Sequence, residues 1–199
     1  MKKLFFMLMV CSIGFSQETN DNEQKRKTTL SAELSSYVGA SIGLTFEVKE
    51  KNKGLFPKTT QSSIYKFYYI SSTLESDNPF VVDINGNGYG LEIGARTYFN
   101  ELENKGFFIG GHIGSGNIKF EEKNVNLSSS TPVDFEGTYA YLTLFAPEVG
   151  YKFVISEKFA VSLHGGVAWL IEAKGKGDVD NKSFDNWVGR AGLSLGYNF

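Results

Sequence analysis

The side chains able to do chemistry in this chain are few and regularly placed. Its two histidines are His112 and His164, and the charged residues that share their spacing are Glu33, Glu47, Glu92, Arg96, Glu148, Lys152, Glu172 and Arg190. A histidine with a serine and a carboxylate could run hydrolysis through an activated nucleophile, the chemistry of a lipid deacylase. DINGNG (83–88) places Asp83, Asn85 and Asn87 two apart with Gly88 in sixth position, like the first half of a calcium loop. The twelfth position, which needs a bidentate glutamate, holds Gly94, so the segment reads as a turn-rich loop. No HExxH and no cysteine pair is present. These residues therefore assign no catalytic, metal or cofactor site, and enzymatic activity is the lesser expectation.

What positions the charged set is a period of two. From Leu30 to Val48 the even positions are almost all apolar (Leu30, Leu34, Val38, Ile42, Leu44, Phe46), and the odd positions are small or charged (Glu33, Gly43, Glu47). Such alternation belongs to strands, because a helix of period 3.6 would scatter both sets around its axis. It recurs in Tyr89, Leu91 and Ile93 against Gly90, Glu92 and Arg96, and in Phe107, Ile109 and Ile113 against Phe108, Gly110 and His112. Tyr139, Tyr141, Phe145, Val149, Tyr151 and Phe153 read as one apolar face, with Glu148 and Lys152 opposite. Val161, Leu163, Val167 and Trp169 oppose Ser162 and His164, and Leu193, Leu195, Tyr197 and Phe199 oppose Arg190 and Gly192. Across 63–72 the alternation is weaker.

The first seventeen residues run from Lys2 and Lys3 through an apolar stretch to Ser16 and Gln17. That order is a secretory signal, cleaved near Ser16 or Gln17 and too short to span a membrane as a helix. Cys11 lacks the small preceding residue of a lipidation site and leaves with the signal, so no disulfide chemistry is expected. Losing Lys2 and Lys3 takes 20 basic residues to 18 against 22 acidic ones, and the charge from −2 to −4. Mild acidity without a basic stripe speaks against nucleic acid as a partner.

The organisation that follows is a signal peptide (1–17), a short polar segment (18–29) and a barrel (30–199). The fold class is all-β, an eight-stranded antiparallel transmembrane β-barrel in a bacterial outer membrane. No later segment reaches the length of an apolar helical span, and a spanning sheet must close to leave no bare edge. The polar face is crowded with glycines, which suits a tight lumen more than the outside of a soluble barrel. Connections 100–106 and 155–158 are short, whereas 74–88, 121–137 and 173–184 are long and polar, as periplasmic turns and external loops would be. Aromatic residues gather at both strand ends: Phe99, Phe107, Tyr151, Phe153, Phe159, Tyr197 and Phe199 at one, Tyr139, Trp169 and Trp187 at the other. Seven strands are plain and parity demands an eighth before residue 61, from either a hairpin bending near 37–40 or an irregular strand in 49–60. Glu92, Arg96, Glu148 and Arg190 are expected to pair within the lumen and plug it, because enclosed charges need partners.

The ending LSLGYNF resembles the signal by which barrel-assembly machinery accepts its substrates. YGLEIGARTYF (89–99), KGFFIGGHIGSG (105–116) and APEVGYKFVISEKFAVSLHGGVAWL (146–170) resemble small Bacteroidota-type outer-membrane barrels of the DUF3575, OmpA-like or OmpW-like kind. Ala146 before Pro147 and Trp169 depart from the usual glycine and tyrosine. The resemblance implies a fold and a location, with outer-membrane lipids, lipopolysaccharide and the assembly machinery (through Phe199) as partners, but no defined activity. A structural or surface-interaction role through the loops, with an envelope protein as a partner, is the leading expectation for a monomer. A lipid-modifying enzyme and a narrow pore for small solutes are the alternatives.

Overall fold

The computed structural model describes residues 28–53, 56–74, 83–125, 132–155, 157–180 and 184–199. The signal segment, Cys11 and most of the polar stretch after it lie outside the described residues. Eight strands follow in chain order: β1 (Thr28–Ser36), β2 (Ala40–Lys53), β3 (Thr60–Leu74), β4 (Ile84–Tyr98), β5 (Gly106–Val125), β6 (Val133–Val154), β7 (Phe159–Gly177) and β8 (Trp187–Asn198). Each pairs antiparallel with the next, and β8 returns to β1 from Thr29↔Asn198 to Ser36↔Ala191, closing the sheet into a barrel.

The strand before residue 61 is the second arm of a hairpin. The chain reverses at 37–39, with Ser36 opposite Ala40, and β2 then runs on to Lys53. Only β1 is short, at nine residues. The reversal also moves Val38, read in sequence as outward, into the interior.

Period two places side chains as the pattern requires along most strands. Leu34, Ile42, Leu91, Ile93, Ile113 and Leu195 point out, with 54% of Ile93 exposed, while Glu33, Glu47, Glu92, Arg96, His112, His164 and Arg190 are buried inside. β6 is the exception. The register between β6 and β7 shifts between Phe145 and Glu148, where Ala146 and Pro147 are both exposed. An extra residue in one strand reverses which parity faces in. Tyr139, Tyr141 and Phe145 are therefore buried in the interior, and Val149, Tyr151 and Phe153 are exposed. Tyr139 belongs to the interior, and the expected outward ring at this end is instead supplied by Tyr69, Tyr89, Trp169 and Trp187. The two indoles stack at 5.5 Å.

Three segments expected as long loops are partly strand. β4 already begins at Ile84, β5 and β6 stay paired as far as Val125↔Val133, and β7 reaches Gly177. DINGNG is thus mostly strand: Asn85 and Asn87 face out, Ile84 and Gly86 face in, and Thr73 donates to Asn85 Oδ1 at 2.9 Å.

In these extensions the two faces exchange polarity without changing parity. Lower on β5, His112 faces in and Ile113 out; higher on the same strand, Ile118 and Phe120 are buried while Lys119 and Glu121 are exposed. Ile70, Ile84, Ile118, Phe120, Phe135 and Val179 form an apolar core in this loop-side storey. The barrel therefore has an inverted lower storey, charged inside and apolar outside, and an upper storey with the polarity of a water-soluble protein. The exchange runs along one cross-strand row, Tyr69↔Tyr89↔Asn117↔Ala140↔Lys174.

Candidate functional site

The lower lumen holds the charged set the sequence singles out. Among the described residues its buried carboxylates are Glu33, Glu47, Glu92 and Glu148, and its buried cations are Lys66, Arg96, Lys152 and Arg190. Four charges of each sign cancel, which a closed interior requires.

The partners divide by height. Nearest the short turns, Lys152 donates to Glu47 Oε2 at 2.8 Å and to Thr29 Oγ1 at 3.0 Å, and Ser62 donates to Glu47 Oε1 at 3.0 Å. At mid-height Arg96 grips Glu148 with two bonds, Nε to Oε2 at 2.9 Å and Nη2 to Oε1 at 2.7 Å. His112 Nε2 lies 2.7 Å from the same Oε2. Lys66 donates to Glu33 Oε1 at 2.9 Å, and Thr45 donates to Glu33 Oε2 at 2.8 Å. Arg190 donates to Glu92 Oε1 at 2.6 Å, and its guanidinium carbon lies over the Tyr37 and Phe145 rings, 4.6 and 4.7 Å from their centroids. Contact with two aromatic faces suits the planar, weakly hydrated guanidinium better than a lysine ammonium.

Above the charges sits a layer of phenols. Tyr37 Oη is 2.7 Å from Tyr68 Oη and 2.9 Å from Tyr141 Oη. Tyr37 reaches this position because the 37–39 turn dips into the barrel. The Tyr68 and Tyr141 rings lie over Gly90 and Gly116, and a Cβ at either glycine would overlap the ring. Small wall residues thus make space for large lumen side chains, which is how an eight-stranded barrel fills its interior.

Of the four residues expected to pair, the structure joins Arg96 with Glu148 and Arg190 with Glu92. The Glu172 side chain lies outside the described residues. Sequence reading missed Lys66 and Tyr68 as lumen members, whereas Tyr37 and Tyr98 already stand on the inward parity of their strands. The signal for Lys66 and Tyr68 was present in YKFYY, since Tyr65, Phe67 and Tyr69 face out and leave 66 and 68 to face in. It was obscured because tyrosine stands on both faces.

Both histidines face the lumen. His112 Nε2 is engaged by Glu148, while among the described residues His112 Nδ1 and both His164 nitrogens have no hydrogen-bond partner. His164 Nε2 lies 3.4 Å from Glu33 Oε1. A hydrolytic set would need a serine hydroxyl bonded to the imidazole. Neither ring has one among the described residues, and the barrel wall stands between both rings and the outer surface.

No family model matches the chain, and no curated protein does. Solved structures do. Ail, the attachment invasion locus protein of Yersinia pestis, crystallised with the heparin analogue sucrose octasulfate, superposes with a TM-score of 0.51 at 14% identity, over 88% of this chain and all of that one. A major outer membrane protein from Thermus thermophilus gives a TM-score of 0.53 at 11% identity, over 88% of this chain and 100% of that one. At such identities the likeness is one of fold: this chain has the all-β architecture of small outer-membrane barrels.

Proposed function

We propose that this chain is a transmembrane β-barrel of the bacterial outer membrane, with a lumen plugged by ion pairs and a structural or surface-interaction role carried by its loop-side storey. One observation carries the reading: the exposed aliphatic belt surrounds a buried, charge-balanced interior. In water, each of Leu34, Ile42, Ile93, Ile113, Leu193 and Leu195 would forgo a part of the roughly 1.5 to 3 kcal/mol that full burial brings, and a belt of such residues marks contact with another apolar phase. Acyl chains supply that phase around the whole circumference. The aromatic rings at both strand ends support the same placement, sitting where headgroups meet hydrocarbon.

The outward row Leu193, Leu195, Tyr197 and Phe199 supports recognition by barrel-assembly machinery through the last strand. It also supports closer kinship with DUF3575, OmpA-like or OmpW-like barrels, together with the resemblances at 89–99, 105–116 and 146–170. Cleavage of residues 1–17 as an export signal, contact with lipopolysaccharide and a monomeric state belong to the same reading.

The lumen geometry favours a closed barrel over a pore. Ion pairs at two heights and a phenol layer above them leave solutes no continuous polar path unless several bonds open together. The deacylase alternative gains nothing from His112 and His164, which the wall separates from lipid. Heat-dependent gel migration of the protein from an outer-membrane fraction tests the barrel and its location. Planar-bilayer recording then tests the plug: no steady conductance is expected, and a constant ohmic current from the purified wild type would overturn it.

A further inference from the structure

The ion pairs of the lower lumen leave one titratable side chain out. His164 is wholly enclosed, and neither of its nitrogens has a hydrogen-bond partner among the described residues. Around it stand Glu33 of β1, Lys66 of β3, Arg96 of β4, His112 of β5, Glu148 of β6 and Arg190 of β8. Glu47 of β2 is paired with Lys152 nearer the turns, and the phenols lie above.

Two carboxylate oxygens are shared. Glu33 Oε1 lies 2.9 Å from Lys66 Nζ, 3.4 Å from His164 Nε2 and 3.5 Å from Arg190 Nη2. Glu148 Oε1 lies 2.7 Å from Arg96 Nη2 and 4.0 Å from both Lys66 Nζ and His164 Nε2. Lys66 and His164 thus face the same two carboxylates. With the imidazole neutral, the four buried cations balance the four buried carboxylates. A proton on His164 would add a fifth positive charge beside an oxygen that already accepts from Lys66. We propose that His164 is a proton-binding site of the lumen that Lys66 keeps unprotonated, reached from the turn side and able to make the barrel's stability respond to acid.

The route for the proton runs along β7, β8 and β1. A recess of about 300 Å³ at the turn-side mouth is lined by Thr29, Lys152 and Asn198. Above it the inward residues are small or polar in successive rows: Ser31 with Gly196 and Ala160, Glu33 with Ser194 and Ser162, then Ser35 with Gly192 and His164. Ser162 Oγ has no partner among the described residues, and a hydroxyl can both donate to and accept from water. Toward the loops the same lumen is closed by the phenols and the apolar core.

The inference rests on the plugged lumen proposed above, and its test separates the two. Full mature protein, first shown by heat-dependent migration to be folded and inserted in liposomes, is unfolded in urea at about pH 7.5, 6.5 and 5.5, bracketing the ordinary imidazole value of about 6.5. A histidine neutral when folded and free to charge when unfolded lowers the folding constant as pH falls; one charged when folded raises it. Relative to His164→Gln, the wild-type constant should fall about fivefold from pH 6.5 to 5.5 and change under about twofold above that window. Lys66→Met should reverse the sign. With three cations left for four carboxylates, His164 takes the proton and pairs with Glu33. Relative to Lys66→Met combined with His164→Gln, its constant should rise about fivefold from pH 7.5 to 6.5 and change under about twofold below. Nitrogen NMR of the histidine rings, with His164 identified by loss of its signals in His164→Gln, needs no unfolding: a neutral ring in the folded wild type at about pH 6 supports the proposal, and an imidazolium there overturns it. A wild type whose pH dependence matches His164→Gln, or a folded Lys66→Met protein that weakens toward acid as the wild type does, would also overturn it while the barrel still inserts. Failure of the wild type to insert, or steady conductance from it, would remove the plugged-barrel reading and this site with it.

Discussion

Arg96 on β4 and Glu148 on β6 meet across the lumen through two bonds of 2.9 and 2.7 Å, in register with the bulge that reverses β6. Had β6 kept one parity from Tyr139 to Phe153, Glu148 would point outward and Arg96 would lack its carboxylate. The irregularity at Ala146 and Pro147 therefore supplies the central ion pair of the lower storey.

Removing one partner of a buried pair leaves the other charge without compensation. Glu148→Gln should lower unfolding stability by about 3 to 5 kcal/mol, measured by urea titration in liposomes. Adding Arg96→Met should restore much of the loss. A decrease below about 1 kcal/mol would show that the pair does little to hold the lower storey.

The plug predicts its own opening. Truncating three mid-height pairs together, with Arg96, Glu148, Glu92, Arg190, Lys66 and Glu33 all changed to Ala, removes the mid-height charges without leaving a lone one. Steady single-channel conductance should then appear in planar bilayers where the wild type shows none. A silent variant that is still folded would place the barrier in the phenol layer of Tyr37, Tyr68 and Tyr141 or in the lower Lys152–Glu47 pair.

The exchange of polarity sets where the wall tolerates charge. Ile93→Arg, in the belt, should cost about 2 to 4 kcal/mol of folding free energy in bilayers. Thr138→Arg, outward on β6 above the boundary row, should cost under about 0.5 kcal/mol. Equal effects at the two positions would mean that no hydrocarbon edge lies between them.

Gly90 and Tyr68 fit as a pair. Gly90→Ala should destabilise by about 1 to 3 kcal/mol, because the new methyl overlaps the ring. Combining it with Tyr68→Ala should recover part of that loss in a double-mutant cycle. Strict additivity would show that the ring does not rest on the glycine.

The period of two, the strands it names and the sidedness of most of the charged set are legible in the order of residues alone. Parity is local: with one residue per step, neighbours along Leu30–Glu33 or Tyr89–Arg96 must alternate whatever the rest of the chain does. The C-terminal outward row and the lumen placement of His112 and His164 can be read for the same reason. Which strand faces which is a property of the closed sheet. Arg96 meets Glu148 and Arg190 meets Glu92 because partners 52 and 98 residues apart are set by barrel closure and register. The reversal in β6 emerges at the same level, since a bulge is visible only as a slip against its neighbours β5 and β7. The upward extension of β4 to β7 is concealed by composition, because DINGNG and the lysine- and glutamate-rich ends look like loops. Their apolar partners Ile84, Ile118, Phe120 and Val179 turn inward to form one core, yet they are scattered through separate stretches of chain and come together only when the barrel closes.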